Sequence, residues 1–288
     1  MKTSMKLLLP LLLLACTAVH AQAYTLDKVW EVGGVKNPES VAYDPVNQVL
    51  YVSSVNGPPT AKDGNGFISR LSLDGKMLDP EWITGLNGPK GMAVAGGKLY
   101  VSDIDTLVEI DIARGAISRR YPAAEGKFFN DVDATPDGTV YVSDTATQTL
   151  YRLKDGHFEA WLTSPELNGP NGVRVVDGRV LVASMGTFSQ QGPQHDGQLL
   201  AVSPADKSIS SVSGTALGNL DGLEPDDDKG YFLTDWPAGK VLYLPRGGAV
   251  QDLLTVEAGT ADLEYVPGKH LIVVPLMMSS KVVAYRLH

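Results

Sequence analysis

The chain has 288 residues, with 24 lysines and arginines against 33 aspartates and glutamates, a formal charge of −9 and a single cysteine. An acidic surface repels phosphate backbones, which argues against nucleic acid as a partner. One cysteine excludes an intrachain disulfide, so a hydrophobic core must hold the fold together.

Residues 1–23 read as a signal peptide. Lys2 and Lys6 form a positive start, Leu7 to Leu14 is an apolar run broken by Pro10, and Ala21 and Ala23 end small-x-small cleavage sites. Cleavage would export a periplasmic or secreted protein; losing Lys2 and Lys6 takes the formal charge from −9 to −11. The alternative is a lipoprotein. Leu13-Leu14-Ala15-Cys16 resembles the box whose cysteine becomes a lipid anchor, although Leu14 is unusual at its place in that box. No second long apolar run follows, so no membrane span is expected. The remaining residues, 24–288, are expected to form one domain, acting as a monomer on a small molecule.

Along that domain one pattern recurs: a turn, an apolar strand, a Gly or Asp turn, then a strand reading like Tyr-Val-Ser-Asp. The copies begin at Pro38-Glu39-Ser40-Val41, Pro89-Lys90-Gly91-Met92, Phe129-Asn130-Asp131-Val132, Pro170-Asn171-Gly172-Val173, Leu220-Asp221-Gly222-Leu223 and Ala261-Asp262-Leu263. From Val41 the spacings are 51, 40, 41, 50 and 40 residues. A period near 40 with several short strands per unit predicts an all-β fold, a six-bladed β-propeller of four-stranded antiparallel blades. Gly97, Asp137-Gly138 and Asp177-Gly178 sit where tight hairpins need residues tolerant of positive φ. The last repeat lacks a fourth strand, and Leu26–Val32 is a strand without a blade; it is expected to complete the last blade and close the ring. The two long spacings place insertions at Ser53–Phe67 and Ala183–Gly197, expected to roof one mouth of the channel from opposite sides.

Equivalent positions in six innermost strands form a ring: Glu39, Lys90, Asn130, Asn171, Asp221 and Ala261. Two carboxylates and two amide oxygens make a hard-oxygen set suited to Ca²⁺ or another divalent cation, and the lack of His or Cys argues against zinc. The same residues could equally line a wet channel. Asp103, Asp144 and Asp235, which end second strands, read as turn caps. Glu224-Pro225-Asp226-Asp227-Asp228 reads as a solvated acidic turn on the opposite face.

In this layout the chain resembles the senescence marker protein (regucalcin)/gluconolactonase family of six-bladed propellers, related to paraoxonase and diisopropyl fluorophosphatase. The resemblance covers the whole of residues 24–288 and rests on Glu39 in Asn37-Pro38-Glu39-Ser40, Asn130 in Phe128-Phe129-Asn130-Asp131, Asn171 in Gly169-Pro170-Asn171-Gly172 and Asp221 in Leu220-Asp221-Gly222. It implies a divalent metal on these four residues at the channel mouth, and a calcium-dependent lactonase or esterase with Asp221 as general base or nucleophile. Two departures stand out: Ser-Val follows Glu39 where the family has Gly-Pro, and Lys90 has no family counterpart. Lys90 could bind an anionic substrate, neutralise a carboxylate in a salt bridge, or replace the ion. His195, in the second insertion, could reach over the mouth as a further substrate-binding group or proton shuttle. The rival reading is a non-catalytic exported propeller that binds a peptide, sugar or partner protein at the roofed mouth. A quinone-dependent oxidoreductase is disfavoured because the ring lacks His and Arg.

Overall fold

The computed structural model describes residues 24–189, 191–227 and 229–288. The signal-peptide and Cys16 readings lie outside these residues. Six four-stranded antiparallel sheets are arranged as the blades of a propeller. The first blade runs Pro38–Asp44, Val49–Ser54, Gly66–Ser72 and Met77–Leu86, and the next four repeat this order from Pro89, Phe129, Pro170 and Leu220. The sixth has Glu264–Val266, Leu271–Leu276 and Lys281–Leu287, with Leu26–Val32 as its outer strand. The closure expected from the unpaired N-terminal strand is therefore present, with Leu26 opposite Leu287 and Val32 opposite Val282. Among the described residues no helix is long and apolar enough to cross a membrane.

The strands follow their burial. Second strands such as Val140–Asp144, Gly230–Asp235 and Leu271–Leu276 are buried along their whole length, and they are the β-branched and aromatic runs. Outer strands such as Ala116–Pro122 are mostly exposed and polar. The core lies between blades. One cluster joins Tyr141, Leu150 and Trp161 of the third blade to Val173, Val182 and Val202 of the fourth. Each such side chain contributes about 1.5–3 kcal/mol on burial, so neighbouring blades stabilise one another rather than folding independently.

Two local devices set the inner strands. In each of the first five blades the first strand carries a bulge at the repeat start, between Pro38 and Val41 in the first and between Leu220 and Leu223 in the fifth. A bulge re-aims a side chain, and the ring residues Glu39, Lys90, Asn130, Asn171 and Asp221 all fall inside it. The glycines that follow allow close approach. A Cβ on Gly172 would stand 2.4 Å from the Asp221 carbonyl oxygen, and one on Gly222 would stand 2.6 Å from the Leu263 nitrogen. Hydroxyls near the ends of second strands then stitch the blades. Ser143 Oγ accepts from Asp131 N at 2.9 Å and donates to the Asn171 carbonyl of the next blade at 2.6 Å. Thr234 Oγ1 does the same between Gly222 N and the Ala261 carbonyl.

Candidate active site at the channel mouth

Five of the six ring residues, Glu39, Lys90, Asn130, Asn171 and Asp221, line one cavity of about 320 Å³ at a mouth of the channel. Ala261 is buried and does not line it. All five lining ring residues are at most 5% exposed. Both insertions reach over them: Pro59 comes from the first, and Met185 and Phe188 from the second. The second insertion forms a small hairpin, Phe188–Ser189 against Gly192–Pro193. It is anchored by Asp196, whose carboxylate accepts from Thr187 N at 2.7 Å and Thr187 Oγ1 at 2.9 Å.

The polar floor is under-satisfied. Glu39 Oε2, Asp221 Oδ1 and both polar atoms of the Asn171 amide are buried with no hydrogen-bond partner among the described residues. Asn130 donates to Thr145 Oγ1 at 3.2 Å. Burial pushes the Glu39 carboxyl well above the usual range, reinforced by Asp221 and Asp262 and opposed by Lys90. Burial raises Asp221 likewise, helped by the charges of Asp262 and Asp131. These orphaned oxygens fit a hard cation: an ion needs carboxylate and amide oxygens free of other donors. Among the described residues no three His, Cys, Asp or Glu side chains form a metal cluster on their own, so Asn130 and Asn171 are needed to complete the donor set.

Lys90 is 2% exposed and makes no salt bridge with a channel carboxylate, contrary to that part of its expected repertoire. Its ammonium donates to the Gly88 carbonyl at 3.2 Å and to the Pro59 carbonyl of the roof at 3.3 Å, and lies 4.4 Å above the centre of the Phe128 ring. Burial lowers its pKa, with Glu39, Asp103 and Asp144 opposing. An ammonium has three donors, and two carbonyls leave one for the cavity. Bulge geometry and the length of the side chain carry Lys90 past the carboxylates to the roof.

His195 falls outside the residues lining the cavity. Its backbone N–H donates to Asn219 Oδ1 at 3.2 Å with φ at 55°, which turns the chain at the base of the insertion. Asn219 in turn donates to the Met185 carbonyl at 2.6 Å. Residue 195 thus lies in a loop-anchoring turn beside Asn219, and Asn219 holds Met185 in the wall. Asp103 accepts from Asn87 N and Gly88 N, and Asp144 from Lys127 N and Phe128 N. These carboxylates fix the segments that lead into the ring strands.

The acidic segment at Glu224 meets its sequence reading in part: the hairpin turn is there, but it begins only after Asp226, which pairs with Gly230. Leu220–Asp226 is a continuous strand. Glu224 Oε1 accepts from Arg174 Nε at 2.8 Å and Nη2 at 2.5 Å, and Asp226 accepts hydroxyls of Tyr24 and Tyr243 at 2.7 and 3.0 Å. Arg174 also donates from Nη1 to Asp131 at 2.9 Å. Burial holds both acids on the inside of the strand, where an arginine and tyrosines satisfy them. Arg174, Glu224, Asp133 and Glu264 each lie three residues after a ring position, and they line a cavity of about 510 Å³ at the opposite mouth. Seven carboxyl groups near the axis, including Glu39, Asp131, Asp221 and Asp262, all have raised pKa values caused first by burial. Two buried cations, Lys90 and Arg174, face them.

Sequence reasoning missed the apolar wall. Thr145, Met185, Trp236 and Met277 line the cavity, and each directly follows the second strand of its blade. The Ser-Asp and Thr-Asp strand ends were the available signal for Thr145 and Trp236; Ala183-Ser184 and Pro275-Leu276, ahead of Met185 and Met277, carried none.

No family profile and no curated protein sequence matches the chain. Solved structures do. A streptogramin B lyase is 13% identical, with TM-score 0.65 over 92% of this chain and 98% of that one. A catalytically inactive histidine-to-alanine variant of virginiamycin B lyase from Staphylococcus aureus, solved with quinupristin, is 11% identical, with TM-score 0.61 over 91% of this chain and 99% of that one. A chain of a nidogen/laminin complex is 17% identical, with TM-score 0.58 over 77% of this chain and 81% of that one. At these identities the likeness is one of fold.

Proposed function

We propose that the protein is a calcium-dependent hydrolase of a small lactone or ester, acting at the roofed mouth. The observation that carries this reading is the set of buried oxygens without partners, Glu39 Oε2, Asn171 Oδ1 and Asp221 Oδ1, around one cavity. Glu39, Asn130, Asn171 and Asp221 would hold the ion, which when bound supplies a Lewis acid for the acyl carbonyl. Asp221 would take the proton of a water as its oxygen adds to the acyl carbon and return it to the alkoxide released when the acyl C–O bond breaks; alternatively it would attack the acyl carbon and expel that alkoxide, and water would then hydrolyse the acyl-aspartate. Burial and the neighbouring carboxylates make it a stronger base than a solvated carboxylate, and a bound cation would favour its ionised form. Lys90 presents its remaining donor to the substrate at the edge of the floor. Lyases of similar fold show that such a propeller can be an enzyme. No histidine lines the cavity, so Glu39 and Asp221, with Lys90, are the ionisable groups it offers for acid–base work.

The test is a panel of lactones and aryl esters assayed with calcium and with chelator. Asp221→Asn should lower turnover by about 10²–10⁴-fold while leaving the fold intact; equal rates for both proteins would sink the mechanism. A second reading, a propeller that binds a partner or ligand without turnover, draws on exposed apolar side chains: Phe188 is 53% exposed and Met278, beside Met277, is 66% exposed. The nidogen/laminin complex gives a propeller-fold precedent for protein binding. Saturable binding with no turnover of any panel member would favour it.

A further inference from the structure

The polar groups of the mouth are confined to its floor, and its wall is apolar. Pro59, Phe128, Met185, Phe188, Trp236 and Met277 form that wall, and they come from loops of five different blades. The wall offers few hydrogen-bonding side chains, and Thr145 is already engaged with Asn130 and the Pro170 carbonyl. A polyhydroxylated lactone held here would bury hydroxyls against carbon and leave them unpaired, which is costly. An alkyl chain or aromatic ring would instead remove Met, Phe and Trp surface from water. Methionine suits such a wall because its flexible thioether adapts to chain shape.

The wall is also held in place. Asn219 fixes the Met185 carbonyl, Lys90 ties the roof through the Pro59 carbonyl, and the Phe128 ring is fixed under the Lys90 ammonium. Trp236 is set by backbone bonds to Asn219 and Gly259. A preformed apolar wall above a floor of carboxylates and amides, with one ammonium held at the roof, is complementary to an amphiphile.

Resting on the hydrolase reading of the same site, we infer that the substrate is a lactone or ester with an extended apolar substituent, an alkyl chain or aryl ring, and not a sugar lactone. Its carbonyl end meets the floor at Asn130, Asn171 and Lys90, and its apolar part lies against Met185, Phe188 and Trp236.

The experiment measures kcat/KM for γ-lactones from butyrolactone to undecalactone, with gluconolactone as the polar comparison, alongside Trp236 fluorescence titrations with the same compounds. Each methylene buried against the wall should raise kcat/KM by up to about 4-fold. Phe188→Ala and Met185→Ala should flatten that slope, lowering kcat/KM for undecalactone several-fold more than for butyrolactone. Hydrolysis that ignores chain length, or that favours gluconolactone, overturns the inference and leaves the hydrolase reading standing. If no lactone is hydrolysed but undecalactone still saturates a Trp236 signal lost in Trp236→Phe, the hydrolase reading fails and the apolar ligand class stands. Absence of both turnover and binding overturns both.

Discussion

Ser40 and Asp262 lie 222 residues apart and share a buried hydrogen bond of 2.6 Å, from Ser40 Oγ to Asp262 Oδ2. Beside it, Asp262 N donates to the Glu39 carbonyl at 2.9 Å. The pair joins the first and last blades on the axis, one residue from the candidate site. The other Asp262 oxygen, Oδ1, is buried without a partner. Replacing Ser40 by Ala removes the bond to Oδ2 and deepens that deficit. Ser40→Ala is expected to cost about 1–3 kcal/mol, read by urea unfolding. A variant as stable as the parent would show that this contact does not contribute to closure.

The crowded carboxyls predict how stability depends on pH. Asp262 is pushed up to about 6, Glu264 to about 7 and Asp131 to about 8, each by burial first. A carboxyl raised in the folded state keeps its proton where the unfolded chain has lost it. Each such group therefore favours the fold at low pH and increasingly disfavours it as pH rises from about 4 towards its folded value. In chelator, the melting temperature should fall by several degrees between about pH 5 and about pH 8. Calcium should raise it, and more at the upper end, because the ion binds the ionised form. A melting temperature that is flat or rises over this range, or no response to calcium at the upper end, would contradict the argument.

Arg174 supplies the positive charge at the far side of the axis, bonded to Asp131 and twice to Glu224. Arg174→Leu leaves two buried acids without their cation and should cost about 3–5 kcal/mol near pH 8. The loss should shrink towards pH 5, because burial raises both carboxyls and protonation removes their need for a cation. Urea unfolding at the two pH values checks both the size and the sign of the difference.

Gly172→Ala tests the close approach of blades four and five. Its Cβ would stand 2.4 Å from the Asp221 carbonyl oxygen, 3.1 Å from Leu223 Cβ and 3.2 Å from Ala183 Cβ. Backbone must shift, at about 1–3 kcal/mol, and Asp221 moves with it. The variant should lose both thermal stability and the calcium-induced rise in melting temperature. Keeping that rise would show that the floor tolerates movement of the fifth blade.

The ring was legible in the sequence because a repeat near 40 residues places equivalent positions around one axis. Glu39, Asn130, Asn171 and Asp221 need only that registration to be brought together. The closing strand was legible for a similar reason: Leu26–Val32 had no blade and the last repeat lacked a strand. The Arg174 network was not. Its members sit one and three residues beyond the ring, and Pro225 with three aspartates hides that the strand runs on to Asp226, where the hydroxyls of Tyr24 and Tyr243 meet it, before the turn begins. His195 was read for its chemistry alone; its positive φ and the backbone hydrogen bond to Asn219 that anchor the loop were not legible. Side-chain reach was also invisible: nothing in the repeat says that Lys90 extends past the carboxylates to a carbonyl of the roof.

The pairing of Leu26–Val32 with Lys281–Leu287 brings both ends of the propeller to one corner. Thr25 and His288 exchange two backbone hydrogen bonds there, at 3.1 and 3.0 Å. A mechanical load drawn between these ends would therefore open the seam one bond at a time, as a zipper, rather than shear all its bonds together. A short peptide joining the same ends would make the chain circular without stretching it. The ring could then be cut at the exposed Asp137-Gly138 hairpin, so that the order of the blades along the chain changes while their order around the axis does not.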